Sequence, residues 1–410
     1  MKAFYLALML IVAGYSSSNG QNILWSNFSH PGQRATYDAS FSANGNLVIS
    51  GSECHEAHVR IFDASNGNIL WDYQLDSSLY CVQGVKFSAS GTQFVAAEET
   101  GNLLLFDYSG PVPFIADTIV TGNVAALSVD FNAAGTNILM GCYNYYRIYD
   151  ITTGLFTANV NAHSGLIWSA AYSHSGQSIL TGATDNRARI HDLNGNMLQT
   201  FTGHLDDVMS AKFTSNDSIV VTGARDDKIK VWNAATGALI RTITGHTGDV
   251  MRVDISPDDR FIASASTDAT VRIWDLNTGA QLASIIDTSG LFVYSVQWSP
   301  DGTKLLVGNG ATQVILYNVA SITGLPSAEV NRIVLVYPNP ISGNQQLNFA
   351  VDNFKIVEFY LYDITGKLVQ HQLTNEGMKS VMLNTMPAGS YSFVLKLEDG
   401  GISSGQLQIN

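Results

Sequence analysis

One short pattern returns seven times between residues 62 and 318, and it leaves few folds open. An aromatic residue or His followed by Asp or Asn closes each unit: Phe62-Asp63, Phe106-Asp107, Tyr149-Asp150, His191-Asp192, Trp232-Asn233, Trp274-Asp275 and Tyr317-Asn318, at spacings of 44, 43, 42, 41, 42 and 43 residues. A separate marker, the turn inside each unit, also counts seven: Asn44-Gly45, Ser90-Gly91, Ala134-Gly135, Ser175-Gly176, Asn216-Asp217, Asp258-Asp259 and Asp301-Gly302. Short strand-like stretches fill the space between the turns. A period near 42 residues with that content is what a β-propeller needs, each unit being one four-stranded blade. The reading is all-β: a seven-bladed propeller over residues 21–320.

Blade 6, GHTGDVMRVDISPDDRFIASASTDATVRIWD, and blade 5, GHLDDVMSAKFTSNDSIVVTGARDDKIKVWN, resemble the WD-repeat family from Gly-His to the closing pair. The other blades hold the spacing with weaker matches. The resemblance implies a hydrogen-bonded tetrad that pins loops to strands: His204, Thr222, Asp226 and Trp232 in blade 5, and His246, Ser264, Asp268 and Trp274 in blade 6. Blade 4 offers His163, Thr181 and Asp185, with His191 in the Trp place. On paper these sets look like catalytic triads. Their recurrence in successive blades argues for structure, since an active site needs one copy.

Both ends of the propeller are readable. Gln21-Asn22-Ile23-Leu24-Trp25 nearly repeats the outer strand Gly67-Asn68-Ile69-Leu70-Trp71 of blade 1, while the last unit stops without an outer strand. Residues 22–28 are therefore expected to complete blade 7 and close the ring. Before them, Lys2 and the apolar run Phe4–Ala13 read as a signal peptide over residues 1–20. That run is too short to cross a hydrocarbon layer of about 30 Å as a helix. No later segment is apolar enough to span a membrane.

Residues 321–332 read as a linker, and residues 333–410 as short alternating strands forming a small Ig-like β-sandwich. Val336-Tyr337-Pro338-Asn339-Pro340, then YLYDITGKL, then Met386-Pro387-Ala388-Gly389-Ser390-Tyr391 are similar in order and spacing to the C-terminal sorting domain of type IX secretion cargo in Bacteroidota. That resemblance implies export across the outer membrane, with type IX machinery engaging residues 333–410. It further implies a product that is extracellular or attached to the cell surface.

Charge narrows the partners. Residues 21–320 hold 15 basic and 27 acidic residues, and a body so acidic repels phosphate backbones, which excludes nucleic acid. No phosphate loop, dinucleotide fingerprint, HExxH or GxSxG occurs, so neither a cofactor nor a catalytic residue is assigned. Aligning the blades puts Tyr37, Gln83, Leu127, Trp168, Met209, Met251 and Tyr294 at one equivalent position, which the WD-repeat resemblance places at the channel mouth. Such a ring suits recognition of a protein or peptide, and the adjoining Asp207 and Asp249 favour a basic segment. The competing reading packs these side chains between blades as core, because Met251 shares strand parity with Val253 and Ile255.

The main expectation is a monomeric interaction scaffold that binds protein or peptide through its mouth. The alternatives are a polymer-degrading hydrolase or lyase and a glycan-binding adhesin. Cys54, His55 and His58 form a weak candidate metal set. Cys54 and Cys81 are expected on one loop-rich face, within reach of a disulfide.

Overall fold

The computed structural model describes residues 22–28, 35–52, 57–75, 81–99, 101–122, 125–287 and 289–320, and in the C-terminal part 335–337, 346–350, 356–363, 368–378, 380–383, 387–397 and 402–409. The protein divides into two units, Met1–Leu325 and Pro326–Asn410.

The first unit is seven four-stranded antiparallel sheets, one per repeat. Burial within a blade follows from where each strand lies. The second and third strands face a neighbouring sheet on both sides, so Phe261–Ser266 of blade 6 is buried along its whole length. The outer strand Gln281–Ile286 of the same blade is mostly exposed or half-buried. The core therefore lies between blades. Phe261, Ala263, Ala265 and Ile273 of blade 6 pack with Val293, Val296, Trp298, Leu305 and Val307 of blade 7.

The seam is closed by the strand Asn22–Phe28, which pairs antiparallel with Gln313–Asn318 and becomes the outer strand of blade 7. Ile23 faces Tyr317 and Phe28 faces Gln313, with a register shift between Ile23 and Trp25. The strand also grips blade 1. Trp25 Nε1 donates to the Ala64 carbonyl at 2.9 Å, Asn27 Nδ2 to Gly67 O at 2.9 Å, and Arg60 Nη1 to Phe28 O at 2.9 Å. Trp25 joins Phe41, Val48, Phe62, Leu306, Val314 and Leu316 in a cluster shared by the closing strand, blade 1 and blade 7. Gly67 has φ of +75°, and a Cβ there would sit 2.6 Å from the Trp25 ring, so the turn suits only glycine on both counts.

A second set of inter-blade ties appears at the turns of blades 4 to 6. Asp217 and Asp259 take left-handed φ of 58° and 57°, where the other blades carry Gly. The Asp217 carboxylate accepts the His174 and Ser175 N–H groups at 2.8 and 2.9 Å. Asp259 accepts from Ser215 N at 2.9 Å. The left-handed strain is offset by a bond to the preceding blade.

In the C-terminal unit, one sheet orders its strands Leu368–Met378, Ile356–Tyr362, Gly389–Leu397 and Ile402–Ile409, and the other holds Leu335–Tyr337, Gln346–Ala350 and Ser380–Met382. Phe359 opposite Leu395 and Leu361 opposite Phe393 are all buried, giving the four-stranded sheet one apolar face. Gln370 Nε2 donates to Met382 O at 2.8 Å, and Tyr391 Oη to Pro387 O at 2.9 Å.

The seam makes a stability prediction. Trp25→Ala removes a buried ring and a buried hydrogen bond, and is expected to cost roughly 3–5 kcal/mol. Ile23→Ala, on the same strand but 48% exposed, is expected to cost under about 0.5 kcal/mol. Denaturant unfolding of the mature protein checks the pair; equal effects would contradict the clasp.

Candidate functional site

The inner strand of six blades carries one residue too many for its partner. Pairing steps from Thr36 to Asp38, Val82 to Gly84, Ile167 to Ser169, Val208 to Ser210, Val250 to Arg252 and Val293 to Ser295. The residues passed over are Tyr37, Gln83, Trp168, Met209, Met251 and Tyr294. In blade 3 Leu127 N bonds Gly141 O, although Gly141 is already opposite Ser128. A bulge breaks strand parity and re-aims the extra side chain. The parity that would bury Met251 beside Val253 therefore stops one residue short. All seven side chains line one cavity of about 330 Å³, together with Glu99, Arg225 and Arg252.

The residue facing the bulge is small for a physical reason. Ser210 faces Gly223, and a Cβ on Gly223 would lie 2.7 Å from Val250 Cγ1 of the next blade. Gly or Ala occupies this place in every blade: Gly51, Ala97, Gly141, Gly182, Gly223, Ala265 and Gly308. That recurring small residue is the sequence signal from which the bulges were legible.

Leu127 and Met209 are buried in the cavity wall, while Tyr37, Gln83, Trp168, Met251 and Tyr294 are half-buried. Tyr37 and Tyr294 meet edge to face at 5.3 Å, and Phe292, half exposed, lies 6.2 Å from Tyr294. At blades 4 and 5, the Arg225 guanidinium sits 5.9 Å from the centre of the Trp168 ring. Arg225 is the residue that sequence reasoning missed. Its Nη1 pairs with Asp207 at 3.1 Å and its Nε lies 3.7 Å from Asp249. The two acids are thus already bridged by a cation rather than open to a basic ligand. Burial raises both carboxyls above the usual range, and Arg225 offsets only part of that.

Below the mouth the channel turns polar, in a cavity of about 420 Å³. Each inner strand has an open edge there, and side chains of the preceding blade cap it. Val85 N donates to Asp38 at 3.0 Å, Tyr172 N to Asp130 at 2.9 Å, and Trp298 N to Asp254 at 2.8 Å. Ser169 and Ser210 do the same for Ala211 N and Val253 N, each at 3.1 Å. The second oxygen of each aspartate faces a cation: Arg252 at 3.2 Å from Asp38, Lys86 at 3.9 Å from Asp130, and Lys212 at 3.8 Å from Asp254. Arg252 lines both cavities and forms the floor of the mouth.

The tetrads assemble. In blade 5, Trp232 Nε1 donates to Thr222 Oγ1 at 2.9 Å, Thr222 lies 2.7 Å from His204 Nε2, and His204 Nδ1 lies 3.0 Å from Asp226. Blade 6 repeats the network through Trp274, Ser264, His246 and Asp268 at 2.8, 2.7 and 2.8 Å. A neutral imidazole with its proton on Nδ1 satisfies every link. In blade 4, His163 lies 2.8 Å from Thr181 and 2.9 Å from Asp185, and Arg189 adds a 2.7 Å bond to Asp185. His191, in the Trp place, is buried with Nδ1 lacking a partner, and burial pushes its pKa down to about 4. Three copies of one network, each buried away from the cavity wall, pin loops.

Of the weak metal set, Cys54 and His55 lie outside the described residues, and His58 Nδ1 bonds Asp72 at 2.5 Å. Among the described residues no group of His, Cys, Asp and Glu is arranged to hold a metal ion. Cys81 is disulfide-bonded and Cys142 is a free, buried thiol. Cys54, the partner proposed from the sequence, is outside the described residues.

The family model of the WD domain, G-beta repeat, matches residues 154–192, 195–233 and 237–275, which are blades 4 to 6. The model of the secretion system C-terminal sorting domain matches residues 335–409. The protein carries WD repeats and a C-terminal sorting domain. Its WD repeats are similar to COMPASS component SWD3 of Saccharomyces cerevisiae, 34% identical over 156 residues, covering 37% of this protein and 48% of that one. Autophagy-related protein 16 of Arabidopsis thaliana is 26% identical over 175 residues, 39% and 34% of the two sequences. The LEC14B protein of Lithospermum erythrorhizon is 26% identical over 222 residues, 48% and 46% of the two. The WD-repeat match thus spans less than half the length of these relatives.

The tetrads of the WD repeats predict acid sensitivity. Burial alone would raise the Asp268 carboxyl; the hydrogen bond from His246, with those from Thr270 and the Thr247 N–H, outweighs it and holds the group low. A carboxyl depressed by folding stabilises above its unfolded value near ~4 and loses that contribution as pH falls through the folded value. The thermal midpoint should therefore drop below about pH 4. Asp268→Asn should cost roughly 1–3 kcal/mol at pH 7 and flatten that acid limb. An acid limb equally steep in wild type and variant would contradict this role.

Proposed function

We propose that the protein is a non-catalytic interaction scaffold that holds a segment of a partner protein in its channel mouth. The observation that carries this reading is the ring of bulges. Six inner strands each pass over one residue in the ladder, and these residues, with Leu127 of the seventh, line the same small cavity and are mostly apolar. Each bulge disrupts the ladder locally and re-aims the extra side chain, here toward the channel. Tyr and Trp supply rigid contact area and Met an adaptable one, a mixture suited to binding a short segment.

Catalysis finds no support in the site. The residues most like a triad recur in three blades and serve the loops. The acidic propeller argues against nucleic acid, and no helix among the described residues is long and apolar enough to cross a membrane. One of the similar proteins is, by its name, a component of a larger assembly, which fits a scaffold. The sorting domain supports export by a type IX-like route. Residues 1–20 would be removed as a signal peptide, and the propeller of residues 21–320 would act at or beyond the cell surface.

The test is a capture experiment from the native culture, using the mature protein as bait. Trp168→Ala combined with Tyr294→Ala is expected to lose the specifically captured protein while keeping the thermal midpoint within a few degrees. Unchanged capture would place the partner surface elsewhere. Binding to a glycan array, abolished by the same pair of changes, would move the reading to an adhesin.

A further inference from the structure

The two guanidiniums at the wall of the mouth cavity are already paired inside the protein. Arg225 Nη1 holds Asp207 at 3.1 Å and its Nε lies 3.7 Å from Asp249, while Arg252 Nη2 holds Asp38 at 3.2 Å. Most of the remaining wall is apolar: Tyr37, Leu127, Trp168, Met209, Met251 and Tyr294. On the blade 7 side that surface continues outward. Phe292, half exposed, lies 6.2 Å from Tyr294, and Leu291 beside it is 47% exposed.

Such a wall selects against charge of either sign. An Asp or Glu side chain inside would have to displace Asp207 or Asp38 from its arginine, and Glu99 also lines the cavity. A Lys or Arg side chain would meet two guanidiniums against the one carboxylate on the lining, Glu99, which is exposed to solvent. Either ion would leave water without a buried counter-charge to receive it. An apolar side chain breaks no ion pair and gains by burial against Trp168, Met251 and the two tyrosines. At about 330 Å³ the cavity is at the small end of ligand sites, which suits one inserted side chain and not a folded face.

Outside the cavity the charge is one-sided. Asp206, Asp207, Asp227 and Asp249 lie on the loops of blades 5 and 6, and among the described residues Arg225 is the one cation paired with any of them. Burial raises the Asp207 and Asp249 carboxyls and Arg225 offsets part of that, but the neighbouring acids add to it, Asp206 acting on both and Asp227 on Asp249. This rim is therefore negative. We propose that the mouth is an anchor pocket for one uncharged apolar side chain of the partner segment, with a basic residue of that segment lying outside it on the acidic rim. This rests on the reading of the mouth as the partner site. The pairing with Arg225 removes Asp207 and Asp249 as partners for a buried cation, whereas the surplus charge of exposed Asp206 and half-buried Asp227 favours a cation held in solvent.

The experiment titrates the full mature protein, by calorimetry, with four short peptides. The first is acetyl-Gly-Lys-Ser-Leu-Ser-Gly-amide; two others replace its Leu by Ala or by Glu, and the last replaces its Lys by Glu. The Leu peptide is expected to bind at least about tenfold tighter than its Ala and Glu counterparts. Exchanging the flanking Lys for Glu is expected to weaken binding about threefold at low salt, and raising the salt should shrink that ratio while leaving the Leu-to-Ala ratio in place. Met251→Gln should weaken the Leu peptide by about fivefold and leave the Ala peptide unchanged. Asp206→Asn combined with Asp227→Asn should narrow the Lys-to-Glu ratio alone. An Ala or Glu peptide that binds as tightly as the Leu peptide overturns the anchor, and equal binding with flanking Lys or Glu overturns the basic neighbour. Failure of all four peptides overturns both, whereas only retained capture by the Trp168 and Tyr294 double variant overturns the mouth itself.

Discussion

A ring of antiparallel sheets has one seam, and the hydrogen bonds across it decide whether all seven sheets hold together. In this protein the seam is made by Asn22–Phe28 pairing with Gln313–Asn318, so the two ends of the propeller share one blade. Pairing alone would leave that strand attached to blade 7 only. Trp25, Asn27 and the buried Arg60 tie it to blade 1 as well, across 32 to 40 residues of sequence. Every inter-blade core depends on this closure, because each blade buries its faces only against neighbours. The central cavity exists for the same reason.

Closure fixes the ring, and buried polar networks then fix each blade, by more than one chemistry. Blades 4 to 6 use the relay of His, Ser or Thr, and Asp, together with the Asp217 and Asp259 ties between turns. Blade 1 places His58 and Arg60 on Asp72 instead. In blade 3 Tyr149 donates to Asp117 of blade 2 at 2.6 Å, and blade 7 pairs Asn309 with Asp287 at 2.5 Å. What these blades share is a carboxylate satisfied by side-chain donors, not a particular residue list.

This explains what the sequence could and could not tell. The period, the seven closing pairs, the tetrads of blades 5 and 6 and the repeated Asn-Ile-Leu-Trp segment depend on local spacing, and local spacing is what a single sequence displays. Aligning the units brings out the ring from Tyr37 to Tyr294 but leaves its direction open. Parity pointed inward to the core, and only the bulge, marked by the small residue opposite, turns it to the channel. Arg225 and the pairing of Arg252 with Asp38 stayed hidden because they join residues on different blades, 214 positions apart in the second case. Asp207 and Asp249 accordingly looked like free acids. Their charge is met by an arginine that no repeat alignment singles out.

The ring takes its rigidity from its seam and polar clamps, and the proposed recognition comes from the interruptions of its inner strands. The central claim is that a partner enters the mouth. Hydrogen–deuterium exchange of the mature protein, with and without its captured partner, tests this most directly. The account predicts new protection confined to segments containing Tyr37, Trp168, Met209, Arg225, Met251 and Tyr294. Protection on the outer strands, with those segments unchanged, would contradict it.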